Sequence, residues 1–255
     1  MAKDVEPLVT IMMPTFNRAE FISDSIKSLL NQTYRNWELI ILNDGSTDGT
    51  KRVVSEFLSD IRIVYIENKK NIGISKCRNI ALGMANGDFI GHLDDDDMLH
   101  PEAIGNLMKE FRKNENLELV YSDYIKTDVY GNFISMQPGP DFSIENLPKL
   151  GFRHFCMYRK HAATSVGGFN EKLPHCSDGD LFMKLAIRGR CKRVPEYLYL
   201  YRSHTTNIGH RRPKCNVCNF SGVCNYYIIW KRICETLKSE KDGKKCYNNR
   251  ALRVE

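Results

Sequence analysis

Four carboxylates stand in a row at Asp94-Asp95-Asp96-Asp97, directly behind the short apolar run Phe89 to Leu93. Adjacent acids repel one another, and a plain turn gains nothing from them. Acids separated by one residue present hard oxygen ligands that suit Mg²⁺ or Mn²⁺, and such an ion can bridge to phosphate oxygens. Taken alone, the run also reads as a solvated acidic loop; its place at the end of an apolar strand favours the metal. Asn43-Asp44-Gly45-Ser46-Thr47-Asp48-Gly49 follows another apolar run and is rich in turn formers. At that strand tip Asp44 can also accept hydrogen bonds from a base or a ribose. Near the C-terminus, Cys215, Cys218, Cys224 and His210 offer a tetrahedral zinc set, although the spacing matches no common finger and free thiols remain the competing reading.

The elements that must position these groups are legible from periodicity. Leu8 to Met13, Trp37 to Leu42, Ile61 to Ile66 and Phe89 to Leu93 read as buried strands. Asn17 with Glu20 forms a capping-box pattern ahead of a helix whose Phe21, Ile22, Ile26, Leu29 and Leu30 share one face. A second helix follows Gly49, and a third runs from Ile74 to Ala85 with Asn86-Gly87 as its stop. Strands alternating with helices imply a parallel α/β sheet with helices on both faces, and ligands bind beyond the carboxyl ends of such strands. That rule selects Pro14 to Arg18, Asn43 to Asp48 and Asp94 to Asp97. Tyr130 to Leu150 reads as loops, Asp178 to Arg188 as a short helix stopped by Gly189, and Tyr197 to Arg202 as a strand.

Three segments in this order are specific together. They are Val9-Thr10-Ile11-Met12-Met13-Pro14-Thr15-Phe16-Asn17-Arg18, then Asn43-Asp44-Gly45-Ser46-Thr47-Asp48, then Phe89-Ile90-Gly91-His92-Leu93-Asp94-Asp95-Asp96-Asp97. The set closely resembles the family-2 inverting glycosyltransferases of the GT-A fold, whose Rossmann-like central sheet is mostly parallel. Asn71, Gly73, Arg78 and Asn79 match that family's N-x-G-x-x-x-A-R-N, with Cys77 in place of Ala. Val166-Gly167-Gly168-Phe169-Asn170-Glu171 resembles its G-G-F-[DN]-E, and Tyr201-Arg202-Ser203-His204 its Y-R-x-H. Where the family has E-D-x-D-L, this chain has Ser177-Asp178-Gly179-Asp180-Leu181, so the Glu is lost and both Asp remain.

The resemblance implies a metal-dependent transfer of sugar from a UDP-sugar to a hydroxyl of a glycan, glycolipid or glycoprotein. Pro14, Thr15, Asn17 and Arg18 would line the nucleotide pocket, Asp44 would bond the base, and Arg78 would lie near the nucleotide or its diphosphate. Asp94 would face ribose or sugar and Asp96 the metal, Mn²⁺ or Mg²⁺, with Asp95 the alternative partner should the register slip by one. His204 would complete the metal site or serve structure only. Asp178, at a helix N-terminus, would be the general base of a single inverting displacement, and Asp180 its structural second.

A nucleotidyltransferase would carry a Gly-rich basic phosphate loop after the first strand, and a dehydrogenase a GxGxxG; neither is present. An inactive nucleotide-sugar sensor is favoured only by the Ser at 177.

Bulk composition agrees with a globular protein: 255 residues, 42% hydrophobic and 27% charged. The resemblance divides the chain into a catalytic domain over 1–208 and a basic, Cys-rich, helical extension over 209–255. From Arg202 to Glu255 there are 12 Lys and Arg against 4 Asp and Glu, a surplus of +8 out of the total +6, so the first 201 residues carry about −2. That distribution excludes a polyanion-binding, nucleic-acid role for the whole chain. No apolar run is long enough for a signal or a span, so a cytoplasmic protein with reduced thiols is expected. The extension's Tyr226 to Ile233, aromatic and basic, reads as a helix packed on the domain or on a second copy. The alternative is a peripheral contact on the inner face of the membrane.

Overall fold

The structure, a computed structural model, describes residues 6–143, 155–173, 177–188 and 190–207. The readings at Gly189, at His210, Cys215, Cys218 and Cys224, and at Tyr226 to Ile233 lie outside the described residues. Among the described residues no helix is long and apolar enough to cross a membrane.

Four parallel strands form the first half of the sheet: β1 (Val9–Thr15), β2 (Trp37–Asn43), β3 (Ile63–Glu67) and β4 (Phe89–His92). Their near-continuous apolar runs follow from burial on both faces. Ile11, Met13, Leu39 and Ile41 pack into one hydrophobic cluster. Met12, Ile40 and Ile90, out of phase with them by one residue, pack into the other. Each such side chain, fully buried, contributes roughly 1.5–3 kcal/mol. The first cluster is covered by α1 (Ile22–Leu30) and α4 (Ala103–Lys113), the second by α3 (Ile74–Met84), α5 (Lys160–Ser165) and α6 (Ser177–Ala186). Helix α2 spans Thr50–Ser55.

The strand order is β3-β2-β1-β4-β8-β6-β9-β5, completed by β5 (Met98–Leu99), β6 (Leu119–Thr127), β8 (Cys156–Arg159) and β9 (Cys191–Arg202). The chain runs outward from β1 through β2 to β3, then returns to place β4 on the other side of β1, so the switch point falls between β1 and β4. The crevice that a switch point creates opens at the carboxyl ends of those two strands.

The sheet is the mostly parallel one expected, with antiparallel members: β8 runs antiparallel to both β4 and β6, while β6 and β9 form a second parallel pair. Two sequence readings are corrected. Within Tyr130 to Leu150, expected to be all loop, β7 (Phe133–Gln137) pairs antiparallel with β6. The capping box does not form, because α1 starts one turn later with Phe21 at its N-cap and no side-chain cap. Asn17 instead adopts a left-handed φ of 54° and turns its side chain to the β2 loop.

Candidate functional site

Two loops at the switch point are laced together. Asn17 Oδ1 accepts from the Thr47 amide at 2.8 Å, and the Asn17 amide donates to Ser46 Oγ at 2.8 Å. Asp44 is buried, and its amide donates to the carbonyl of Thr15 at 2.8 Å. Asp44 Oδ1 accepts from Ile72 N at 2.8 Å and Asn68 Nδ2 at 3.0 Å, and Oδ2 from Gly73 N at 2.9 Å. The Cys77 thiol also hydrogen-bonds this carboxylate, so Asp44 is held on every side by the chain. Gly45 follows with φ 76°, and a Cβ there would lie 2.8 Å from the Lys70 carbonyl carbon, so no other residue fits. A cavity of about 280 Å³ opens beside this turn, lined by Gly45, Ser46, Thr47, Glu67, Asn68 and Lys69.

The four acidic side chains take four different directions. Asp94 is half-exposed in the crevice. Asp95 is buried and turned back toward β1, accepting from the Phe16 amide at 3.3 Å and facing Arg18 Nε at 3.5 Å. Asp96 accepts from Arg18 Nε at 3.3 Å and meets His204 Nε2 at 3.1 Å. Asp97 is buried and structural, accepting from Tyr199 Oη at 2.6 Å and from the Arg202 amide at 2.7 Å. The crevice walls desolvate Asp94 and raise its pKa to about 6; Arg78 pulls it down, while Asp96 and Asp178 push it up. Burial, then the neighbouring Asp96, also raises Asp95 and Asp97. Like charges this crowded, with carboxyls displaced from their ordinary range, mark a candidate functional site.

His204 is fixed from several sides. Its Nδ1 lies 2.7 Å from Thr206 Oγ1, and its ring lies 4.5 Å from that of Phe21. Arg18 Nη2 donates to the Thr206 carbonyl at 3.3 Å, tying the end of β9 over the acidic run. An imidazole oriented through its second nitrogen, set against a carboxylate, is a donor pair that suits Mn²⁺ or Mg²⁺. No cluster of three His, Cys, Asp or Glu side chains that could hold an ion occurs among the described residues. Were Asp96 and His204 to hold an ion, the rest of its shell would have to come from phosphate oxygens and water.

Opposite Asp94 stands Asp178, in the first turn of α6, with its side chain one-third exposed. Arg78 on α3 lies between the two, Nη2 being 3.5 Å from Asp94 Oδ1 and 3.6 Å from Asp178 Oδ2. Desolvation raises Asp178, but Arg78 and the Gly179 amide outweigh it and hold the carboxyl below its ordinary range. Asp180 faces away into the core, where Lys184 Nζ lies 2.8 Å from it.

Of the residues expected in the site, Asp94, Asp96, Asp178, Arg78, Arg18 and His204 converge on the crevice; Thr15 and Asp44 are buried in its floor, and Pro14 is half-buried beside them. Arg18 is spent on Asp96 and on the end of β9 rather than held free for a nucleotide. Sequence reasoning missed His92, whose Nε2 lies 2.7 Å from Tyr158 Oη among the rings of Tyr158, Phe169 and Phe182. Burial lowers its pKa to about 3, so it is neutral. Its place two residues before Asp94 was the available signal.

A family model described as glycosyl transferase family 2 matches residues 10–169. A chondroitin synthase of Pasteurella multocida (strain Pm70) is 37% identical over 229 residues, covering 89% of this chain. The chain spans about a quarter of that relative's length (24%). Among solved structures, TarS of S. aureus in complex with UDP-GlcNAc superposes with a TM-score of 0.67 at 20% identity, over 78% of this chain and 59% of TarS. The mannosyltransferase PcManGT of Pyrobaculum calidifontis, with GDP-Man and Mn²⁺, gives 0.61 at 17% identity, over 95% and 68%.

Proposed function

The chain belongs to glycosyl transferase family 2 and has the GT-A fold, and from that premise we propose that it transfers a sugar, with inversion, from a UDP-sugar to a hydroxyl of a growing polysaccharide. The observation that carries this reading is the placing of Asp178 across a narrow crevice from Asp94, with a single arginine between them. In this reading the base on one wall faces a carboxylate pair on the other, and the anomeric carbon would be presented to it from that side.

The base of the nucleotide then lies at the Asp44 loop, beside the cavity lined by Gly45, Ser46 and Asn68. Asp94 takes the ribose or sugar hydroxyls. Asp96 and His204 would hold the divalent cation, Mn²⁺ or Mg²⁺. Such an ion, when bound, supplies Lewis-acid neutralisation of the charge that develops on the diphosphate. Asp178 takes the proton of the acceptor hydroxyl, and its lowered pKa keeps it ionised at neutral pH. The ring cluster below, with neutral His92, excludes water from the base's inner side.

The relative named as a chondroitin synthase supports a polysaccharide acceptor, and TarS with bound UDP-GlcNAc supports a UDP-hexosamine donor. The test is a panel of UDP-sugars against glycosaminoglycan-type oligosaccharides, with Mn²⁺, with Mg²⁺ and with chelator. Metal-dependent extension of an oligosaccharide is expected. Tight UDP-sugar binding with neither transfer nor hydrolysis would establish the sensor reading instead.

A further inference from the structure

The geometry points to Arg78 and Ser177 as a positioning pair that holds the Asp178 carboxylate against Asp94 through one shared guanidinium. This role rests on the transfer reading above. Arg78 is 4% exposed, rising from α3, and its fork contacts Ser177, Asp94 and Asp178. Nη1 donates to Ser177 Oγ at 3.3 Å, and Nη2 stands between Asp94 and Asp178 at 3.5 and 3.6 Å. The guanidinium carbon lies 5.8 Å from the Phe169 ring centroid, and Nε has no acceptor among the described residues. A guanidinium recruited only for a diphosphate would point its fork into open crevice. This one points it at two carboxylates, one from each wall.

Planarity makes the arrangement specific. A guanidinium anchored at one amino group fixes where the other must lie, which a lysine ammonium cannot do. Ser177 is the anchor: it is fully buried, neutral and directly before Asp178, so it holds Arg78 without competing for its charge. Among the described residues, the charged and titratable groups around Asp178 are few. Arg78 faces it from α3, His92 from β4, Asp94 from the acidic run, and Cys156 and Tyr158 from β8; Asp180 and Lys184 share its helix. Burial keeps His92 neutral and Cys156 and Tyr158 protonated. Lys184 is taken up by Asp180 at 2.8 Å. Among these groups the cation left for the base is Arg78.

The test combines two readouts on the full chain. Carboxyl-labelled aspartate is titrated by NMR, with Asp178 assigned through its loss in Asp178→Asn, and transfer is followed under saturating and limiting donor. In Arg78→Gln the Asp178 resonance is expected to titrate at higher pH than in wild type. Its kcat is expected to fall on the order of 100-fold, as a misplaced reacting group does, with donor KM changed by no more than about threefold. Ser177→Ala is expected to move both readouts in the same direction by less, and Arg78→Lys to restore the titration more than the rate. An unmoved Asp178 titration in both Arg78→Gln and Ser177→Ala overturns the pair, as does a loss carried by KM alone. Should Arg78→Gln fail to fold, Ser177→Ala decides. Should wild type transfer no sugar, the functional reading fails, while the titration still settles whether Arg78 governs Asp178.

Discussion

Around β1 and β2 the crevice is held mostly by main-chain amides. Asp44 accepts from Ile72 and Gly73, Asn17 from Thr47, and Asp95 from Phe16. Around β6, β9 and α6 the same work falls to charged side chains. Arg193 makes two contacts to buried Asp123, at 2.8 and 2.7 Å, and a third to Asp141; Arg202 reaches Asp24, and Arg78 spans Asp94 and Asp178. An amide cannot lose its hydrogen-bonding capacity with pH and is little affected by salt. A carboxylate–guanidinium pair answers to both. The β1–β2 side thus leans more on main-chain donors, with Arg18 its charged exception, and the side carrying Asp178 leans on charged side-chain pairs.

The sharpest way to break this comparison is Asp178→Asn. Loss of the base is expected to lower kcat by about 100- to 10,000-fold while UDP affinity stays at the wild-type level. Retained turnover would remove Asp178 from the role and with it the division of labour. Next in size, Arg193→Ala leaves the Asp123 carboxylate buried without its cation, which costs about 3–5 kcal/mol. Urea unfolding should show that loss, and raised salt, which screens the pair only in wild type, should narrow the gap between wild type and variant. Asp44→Ala leaves the Ile72 and Gly73 amides without their acceptor and is expected to cost about 1–3 kcal/mol. Unlike the Arg193 contact, it should be insensitive to salt.

The effect that is smallest at any one step of pH concerns His92. Its folded pKa, about 3, lies below its unfolded value of about 6.5, so the unfolded chain binds more protons between those values. Its contribution to stability is therefore complete above pH 6.5 and lost as pH falls toward 3, at a slope of roughly 1 kcal/mol per pH unit. In His92→Gln that slope should flatten by the same amount. An unchanged slope would mean that His92 is solvated.

The β1 to β4 half was legible because its information is local. Each of β1 to β4 is a short apolar run followed by a turn signal, and parallel pairing through helices follows from their order. The other half hid its strands for a physical reason. β6 carries Ser122 and Asp123 in its middle, residues that read as loop until Arg193 and the Gly139 amide satisfy Asp123 from elsewhere in the chain. β8 has only four residues and no period to read. β9 holds Pro195 and its register with β6 shifts at Ser122 to Tyr124, so its first half is masked. The site residues were legible through their motifs. Their partners were not: Ser177 bonding Arg78, or Thr206 fixing His204, are contacts made by side chains whose types alone carry no signal. Asn17 shows the limit most plainly, since a sound capping pattern lost to a neighbouring loop that offered two amides.

All of this turns on whether the acidic edge grips a diphosphate through a divalent cation. The direct measurement is calorimetric titration of UDP into wild type and Asp96→Asn, each with Mn²⁺ and with chelator. Wild type is expected to bind UDP tightly with the metal and weakly without it, and Asp96→Asn weakly in both. Equal binding by wild type with and without metal, or metal-enhanced binding that survives in Asp96→Asn, would contradict the account.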